Sequence, residues 1–270
     1  MNEFCLHLAG ELIFNKIFPP ETKLFFSSQV NHLGVASIKK IESIRNRLFQ
    51  QRGVGITFNK SKISPVITGG NCSAIALEFA HCYISSKEDL SEKIADRIFL
   101  PQFKAILLLI LIKKLGKTFR ASNEEMRTRQ GAYNTIEVLP SAENIDFNKE
   151  KMQAIANYHN FTIDFATDEI NSYTISQPED IRHYVYSLPK WVYLLRIIKP
   201  AQNEKLEEHG HSTIYIQEGP VKVFFDPTRG AFNISKGDLA KKFYAIFQSQ
   251  LLQFNVSQAR FYRLSNKAFF

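Results

Sequence analysis

The sequence predicts an α+β fold, with helices in its first half and an antiparallel sheet in its last third. Apolar residues recur three and four positions apart after Asn71, which is the spacing of an amphipathic helix. The segment Lys190–Lys199 is rich in β-branched and aromatic residues, and two alternating segments follow it. Because helices and strands are segregated along the chain, the pattern favours α+β over alternating α/β.

The composition is that of a globular protein that works in a reducing compartment. The chain has 270 residues, of which 44% are apolar and 22% charged, enough to bury a substantial core. Its three cysteines form no disulfide framework. We expect no signal peptide at the start. The longest apolar run, 105–112, is far below the roughly 20 residues that cross a bilayer, and it predicts a buried helix.

The N-terminal part of the chain carries most of the net charge. The first 30 residues show no clear period, and Pro19 and Pro20 would break any helix there. Residues 36–51 are predicted to form an amphipathic helix with a basic outer face. Seven basic residues and one acidic residue lie between positions 38 and 63, a net +6 of the chain's +8. We therefore divide the chain into a basic helical segment, 1–60, and a main domain, 61–270, joined in one globular unit.

Three further helices are predicted in the middle of the chain. The first begins after Asn71 and carries an apolar stripe that includes Phe79, Cys82 and Tyr83. A second follows with Ser86 as its cap, and Pro101 separates it from the buried apolar helix. Residues 116–150 are polar and weakly patterned, and we interpret them as a long surface excursion.

The last third predicts a strand, a hairpin and a final helix from Ser235. If Glu218 and Gly219 form a two-residue hairpin turn, His211 lies directly opposite Asp226 on one face of the sheet. A carboxylate there can accept a hydrogen bond from the imidazole. Pro220 cannot donate to the ladder and could shift the turn by one residue, and we expect such a slip to separate the two side chains onto opposite faces.

Cys72 gains a chemical role from this hairpin. The unpaired N–H groups and the macrodipole of a helix N-terminus favour a thiolate, and a nearby imidazolium favours it further. Gly69 and Gly70 would let a substrate pass close to the sulfur. The Cys72 N–H and the Asn71 amide are candidates for stabilising an oxyanion, although Asn71 serves equally well as a helix cap. Without the hairpin, the simpler interpretation of Cys72 is a small buried hydrophobe.

Three motifs resemble those of the YopT-type cysteine proteases: GGNCSAIALEF at Cys72, GHSTIYI at His211 and VFFDPTRGAF at Asp226. The resemblance implies a papain-like fold with a Cys72–His211–Asp226 triad, its nucleophile at a helix N-terminus and its other members on an antiparallel sheet. It further implies a bacterial effector that is secreted into the host cell cytoplasm and acts on a host protein. The separation of Cys72 from His211 is long for the family, which implies an insertion around residues 100–150.

Alternatives to a protease remain open at this stage. A glutamine deamidase or an acyltransferase would use the same triad and the same thioester. A non-catalytic binding module would use the basic segment instead, with an anionic membrane or an acidic protein as its partner through Lys39, Lys40, Arg45 and Arg47. We expect no nucleic acid, because stacking aromatic residues are not interleaved with these charges.

We expect no metal and no cofactor. His81 lies beside Cys82, and His209 lies near His211, but their spacing fits no closed Cys/His zinc site.

Overall fold

The computed structural model describes residues 3–25, 43–44, 56–58, 72–94, 101–118, 123–134, 136–138, 147–164, 169–171, 175–199, 209–254 and 258–266. Its helices are α1 (Glu3–Ile17), α2 (Cys72–Ile94), α3 (Pro101–Thr118), α4 (Asn123–Asn134), α5 (Phe147–Tyr158), α6 (Pro178–Ser187) and α7 (Leu239–Phe254). Its strands are β1 (Lys23–Phe25), β2 (Ile56–Phe58), β3 (Ile136–Val138), β4 (Phe161–Asp164), β5 (Glu169–Asn171), β6 (Trp191–Lys199), β7 (His209–Glu218), β8 (Val221–Asp226), β9 (Gly230–Asn233) and β10 (Gln258–Asn266).

One antiparallel sheet organises these elements. Its strand order is β1-β9-β8-β7-β6-β10-β4, and β5 pairs with the first half of β10 while β4 pairs with the second half. Strands β2 and β3 form a separate antiparallel pair. The predicted combination of helices with an antiparallel sheet is therefore confirmed. The three predicted strands of the last third correspond to β6, β7 and β8.

Helices cover both faces of the sheet, so its central strands contribute apolar side chains to a core on each side. In β6, Val192 and Leu194 join the core on one side, and Tyr193 and Leu195 join the core on the other. We call the side covered by α2 to α5 the front face and the side covered by α1, α6 and α7 the back face. The strict alternation of β-strand side chains thus feeds two separate cores.

The back face is dominated by aromatic rings. Phe14 of α1 and Phe18, which follows the helix, contact Phe224 and Phe232, with ring centroids 5.3 to 6.4 Å apart. α1 therefore packs on the sheet, although the start of the chain shows no clear helical period. The helix ends at Ile17, and only Phe18 separates its last residue from the proline pair that was expected to break it.

Two predictions for the middle of the chain were wrong. α2 continues without a break to Ile94, so Ser86 lies inside a helix and caps nothing. The next residue, Lys87, forms an ion pair with Glu218 at the end of β7, which holds this part of the helix on the sheet. The segment 116–150 is not a surface excursion, because it contains α4, whose Met126 and Tyr133 are buried in the front core. These apolar residues are too few and too widely spaced to show a period.

Two further predictions need correction. In α3, Ile112 is buried but Ile106 and Ile110 are each more than half exposed, so the apolar run covers the core with one side only. α7 begins at Leu239 rather than at Ser235, and the Asp238 carboxylate accepts the Ala240 N–H at 2.9 Å, as an N-terminal cap does.

The predicted basic helix at 36–51 falls almost wholly outside the described residues. Among the helices that the structure describes, none combines the length and the apolar character that a membrane span requires.

The front core makes a direct prediction about stability. Phe79 of α2 stacks on Phe225 of β8 with centroids 4.0 Å apart, and both side chains are fully buried. We expect Phe225→Ala to lower the free energy of unfolding by about 3 to 5 kcal/mol, because it leaves a large cavity between helix and sheet. Urea unfolding followed by circular dichroism measures the change. Leu12→Ala, at a side chain that is 64% exposed, is the control and should shift stability by less than about 0.5 kcal/mol.

Candidate active site

The β7–β8 hairpin brings His211 and Asp226 together, but through a different register from the predicted one. The two turn residues are Gly219 and Pro220, because Glu218 pairs with Val221 and Ile214 pairs with Phe225. Gly219 has φ of +61°, a value that glycine adopts readily at the first central position of a type II′ turn. Proline fits the second position, where no N–H is needed for the ladder.

His211 therefore does not lie directly opposite Asp226, which corrects the predicted pairing. The expected separation was wrong: moving the turn by one residue changes the sum of paired residue numbers by two, so both side chains keep their face of the sheet. His211 Nε2 donates to Asp226 Oδ1 at 3.1 Å, and both side chains are buried. The β7–β8 ladder ends at Ile214 and Phe225, so the two strands no longer pair at the level of this contact.

Cys72 is the first residue of α2 and lies at the same end of β7. Its sulfur is hydrogen-bonded to the side chain of His211 and to the backbone of Ser212. Because Nε2 of His211 is bonded to Asp226, Nδ1 is the nitrogen left for the sulfur. The structure thus brings together all three residues that the sequence singled out.

The charge of Asp226 is held by donors from its own loop. Thr228 donates to Oδ1 through both its backbone N–H, at 2.7 Å, and its hydroxyl, at 2.5 Å. Arg229 Nη1 donates to Oδ2 at 3.0 Å, and its guanidinium lies 4.1 Å from the ring centroid of Phe14. Gly230 closes the loop with φ of +107° and pairs with Asp226. The residues of the sequence DPTRG therefore supply the hydrogen-bond donors around the Asp226 carboxylate.

The three ionisable groups shift one another. Burial opposes ionisation of the Cys72 thiol, but the hydrogen bond and charge of His211, the Ser212 backbone and the charge of Arg196 together lower its pKa to about 7. Burial likewise opposes the charged imidazole, but Asp226 and then Cys72 raise the pKa of His211 to about 10. Burial also opposes the charge of Asp226, yet His211, Arg229 and Thr228 hold the pKa of its carboxyl well below the ordinary value. Between pH 7 and 10 the favoured state is a thiolate beside an imidazolium.

The first turn of α2 is fixed by two contacts with other elements. Ser73 Oγ and Ser212 Oγ are 2.8 Å apart, and both residues are buried. The Ala74 N–H donates to Gln130 Oε1 of α4 at 3.1 Å, and Gln130 Nε2 donates to Asn134 at 3.0 Å. Gln130 thus satisfies one of the unpaired donors that every helix start leaves.

A polar cluster further along α2 ties the helix to α4 and α5. Glu78 forms ion pairs with Arg129 and faces His159 Nδ1 at 3.6 Å, and Tyr133 Oη lies 2.5 Å from His159 Nε2. Burial, with the charges of Arg129 and His81, lowers the pKa of His159 to about 3, so its ring is neutral and accepts from the tyrosine. This cluster supports the scaffold beneath the site.

Cys82 differs from Cys72 although both lie on α2. Its side chain packs at the margin of the front core, as predicted, and its sulfur lies 3.9 Å from Glu78 Oε1. Burial and the Glu78 charge raise the pKa of this thiol to about 11.

Several predicted positions lie outside the described residues: Gly69, Gly70, Asn71, Lys39, Lys40, Arg45 and Arg47. Within the described part of the chain, no group of three or more potential metal ligands is brought together.

Sequence reasoning missed Ser73, Ser212, Gln130, Thr228 and Arg229. Thr228 and Arg229 lie within the motif VFFDPTRGAF, and a signal existed for Thr228, since an Asp two positions before a Thr is typical of a side chain that caps its own turn. No local signal existed for the other three, because their contacts join distant elements.

No protein-family model and no curated protein matches the chain. Among solved structures, the crystal structure of the Pseudomonas avirulence protein AvrPphB is similar, with a TM-score of 0.38 and 12% identity over 72% of this chain and 91% of that chain. AvrPphB is a YopT-type cysteine protease effector, the family that the sequence motifs resemble.

The two thiols of α2 should differ in reactivity. At pH 7 we expect iodoacetamide to label Cys72 roughly 10 to 100 times faster than Cys82. The fraction of Cys72 present as thiolate is roughly 10³ to 10⁴ times larger, and this outweighs the lower nucleophilicity of the more acidic thiol. Peptide mass spectrometry measures both rates in one tube. Cys82 is the more exposed of the two, so accessibility alone would reverse the order. Faster labelling of Cys82 would contradict the thiolate assignment.

Proposed function

We propose that this chain is a cysteine protease of the papain-like type, with Cys72 as nucleophile, His211 as general acid and base, and Asp226 as the group that orients the imidazole. The observation that carries the proposal is the continuous chain of hydrogen bonds from the Cys72 sulfur through His211 to the buried Asp226. These are the contacts that an activated nucleophile requires.

The reaction follows from these contacts. The Cys72 thiolate attacks the carbonyl carbon of a peptide bond, and the carbonyl oxygen takes the negative charge. When the C–N bond breaks, the His211 imidazolium gives its proton to the leaving amine, and a thioester remains on Cys72. His211, now neutral, takes a proton from water as the water attacks the thioester. Cleavage of the C–S bond releases the acid and restores the thiolate and the imidazolium.

The start of α2 suits the developing oxyanion. The first N–H groups of a helix have no intrahelical partners, and the macrodipole places partial positive charge there. Gln130 occupies the Ala74 N–H, which leaves the Cys72 N–H, at the start of the helix, as the donor closest to the sulfur. We assign this N–H to the oxyanion, and the Asn71 amide is the second donor in the proposal.

The papain-like assignment rests on the order and type of the elements. A nucleophile opens a long helix, and a later antiparallel hairpin supplies the histidine and the aspartate from neighbouring strands. In this proposal residues 61–270 form the catalytic domain and residues 1–60 the basic segment.

The motif resemblance supports a biological setting as well. We propose that the protein is a secreted bacterial effector that cleaves a host protein in the host cell cytoplasm. The basic residues Lys39, Lys40, Arg45 and Arg47 would bring it to an anionic membrane or to an acidic partner. A glutamine deamidase or an acyltransferase would share the thioester and differ only in the leaving group or the acceptor.

Loss of any member of the triad should abolish turnover while the fold is kept. The wild type, Cys72→Ala, His211→Ala and Asp226→Asn are incubated with host-cell lysate, and new protein N-termini are quantified by mass spectrometry. We expect the wild type alone to generate a defined set of N-termini, with losses of at least about 10³-fold for the cysteine and histidine variants. The same spectra report glutamine-to-glutamate conversion and acylated lysines, which identify a deamidase or an acyltransferase.

Matched controls are available on the same chain. Cys82→Ala removes a thiol ten residues further along α2, and His183→Ala removes an exposed histidine from α6. Both should retain full activity. If Cys72→Ala cleaved the same proteins as the wild type, Cys72 would not be the nucleophile and the proposed protease would be excluded. If the effect of the protein on host cells were lost only on charge reversal at Lys39, Lys40, Arg45 and Arg47, the non-catalytic binding module would be favoured.

Activity should have a bell-shaped dependence on pH. The thiolate forms as pH rises through the Cys72 pKa of about 7, and the imidazolium is lost as pH rises through the His211 pKa of about 10. We therefore expect kcat/KM on an identified peptide substrate to rise near pH 7 and to fall near pH 10. A profile that rises without an alkaline limb would contradict the role of the imidazolium as general acid.

A further inference from the structure

Two buried hydroxyl groups lie beside the candidate dyad. Ser73 follows Cys72 on α2, and Ser212 follows His211 on β7, so the contact between their Oγ atoms repeats the contact between the two preceding residues. Ser212 also bonds to the Cys72 sulfur through its backbone. A single residue of β7 therefore contacts both the nucleophile and its neighbour.

A hydroxyl is unexpected in this row of side chains. Ser212 belongs to the alternation set of Ile214 and Ile216, which face α2 in the front core. A buried hydroxyl without a partner is costly, whereas one that faces another hydroxyl across the interface is satisfied. Since apolar contacts do not fix how far a helix has slid along a sheet, this polar pair selects one axial position.

The spacing of the contacts shows how α2 is registered on β7. The helix is bound to the strand at Ser73–Ser212 and again at Lys87–Glu218. Fourteen helical residues rise about 21 Å and six strand residues about 20 Å, so helix and strand run side by side with matching lengths. A shift of α2 by one residue would move the Cys72 sulfur by about 1.5 Å, enough to break its bond to His211.

We propose that Ser73 and Ser212 are positioning residues that hold Cys72 at the level of His211, without contacting the substrate themselves. This inference rests on the proposed function, since it assigns these residues to the same site. It predicts that the pair acts as a unit, so that removing both hydroxyls costs no more than removing one.

The test is the pH dependence of Cys72 labelling by iodoacetamide, at pH 6 and at pH 9, in Ser73→Ala, Ser212→Ala and the double variant. We expect labelling to be roughly three to five times slower than wild type at pH 6, because the thiolate is less favoured when the imidazolium is displaced. At pH 9, well above the Cys72 pKa of about 7, the thiolate persists after a partial displacement of the imidazolium, so labelling should be no slower. Ser212→Thr keeps the hydroxyl and should restore the rate at pH 6.

Ser249→Ala is the matched control, because Ser249 is also fully buried but lies on α7, with no hydrogen-bond partner for its hydroxyl among the described residues. Its pH profile should equal that of the wild type. Wild-type rates in the alanine variants at pH 6, or an equal change at both pH values, would overturn the positioning role while leaving the protease proposal intact. A wild-type Cys72 that labels no faster than Cys82 at pH 6 would instead overturn the proposed function.

Discussion

The candidate site depends above all on the axial register between α2 and β7. The proposed nucleophile and its imidazole are 139 residues apart in the chain and meet because a long helix lies along one strand. Apolar burial between Phe79 and Phe225 stabilises this packing, but burial is non-directional and does not select an offset. In our proposal the offset is selected by polar contacts at Ser73 and at Lys87, fourteen residues apart on the helix. The chemistry of the site thus depends on contacts whose contribution to total stability is small.

The buried carboxylate of Asp226 is the second constraint, and residues of its own loop supply the hydrogen bonds that it needs. Desolvation alone would favour the neutral acid, which would leave His211 without a reason to carry charge. Thr228 and Arg229 offset that cost with three donors to the two oxygens of Asp226. The same guanidinium lies over Phe14 of α1, so the first helix of the chain is joined to the electrostatics of the site. The back-face helices therefore contribute to the site as well as to the core.

The parts of this arrangement that the sequence predicted are those fixed by local rules. Alternation placed His211 and Asp226 on one face, and the error in the turn did no harm because a displaced turn moves the pairing by two residues. The start of α2 was predictable from its apolar stripe. In contrast, α1 and α4 lack a clear period, since their few buried residues are set by the elements against which they pack. Ser73, Ser212 and Gln130 were beyond reach for the same reason, as ordinary polar residues whose partners lie on other elements.

Because Cys72 is buried, its acidity depends on the register between α2 and β7. In a dry environment an isolated thiol is less acidic than in water, so burial by itself would make this cysteine inert. The same low polarity strengthens the attraction between a thiolate and an adjacent imidazolium, and that attraction falls steeply once the two groups separate. The net effect of burial therefore changes sign over a displacement of about one hydrogen-bond length. In the proposed mechanism, a helix held in one position makes the buried Cys72 a nucleophile, and a helix shifted by a single residue does not.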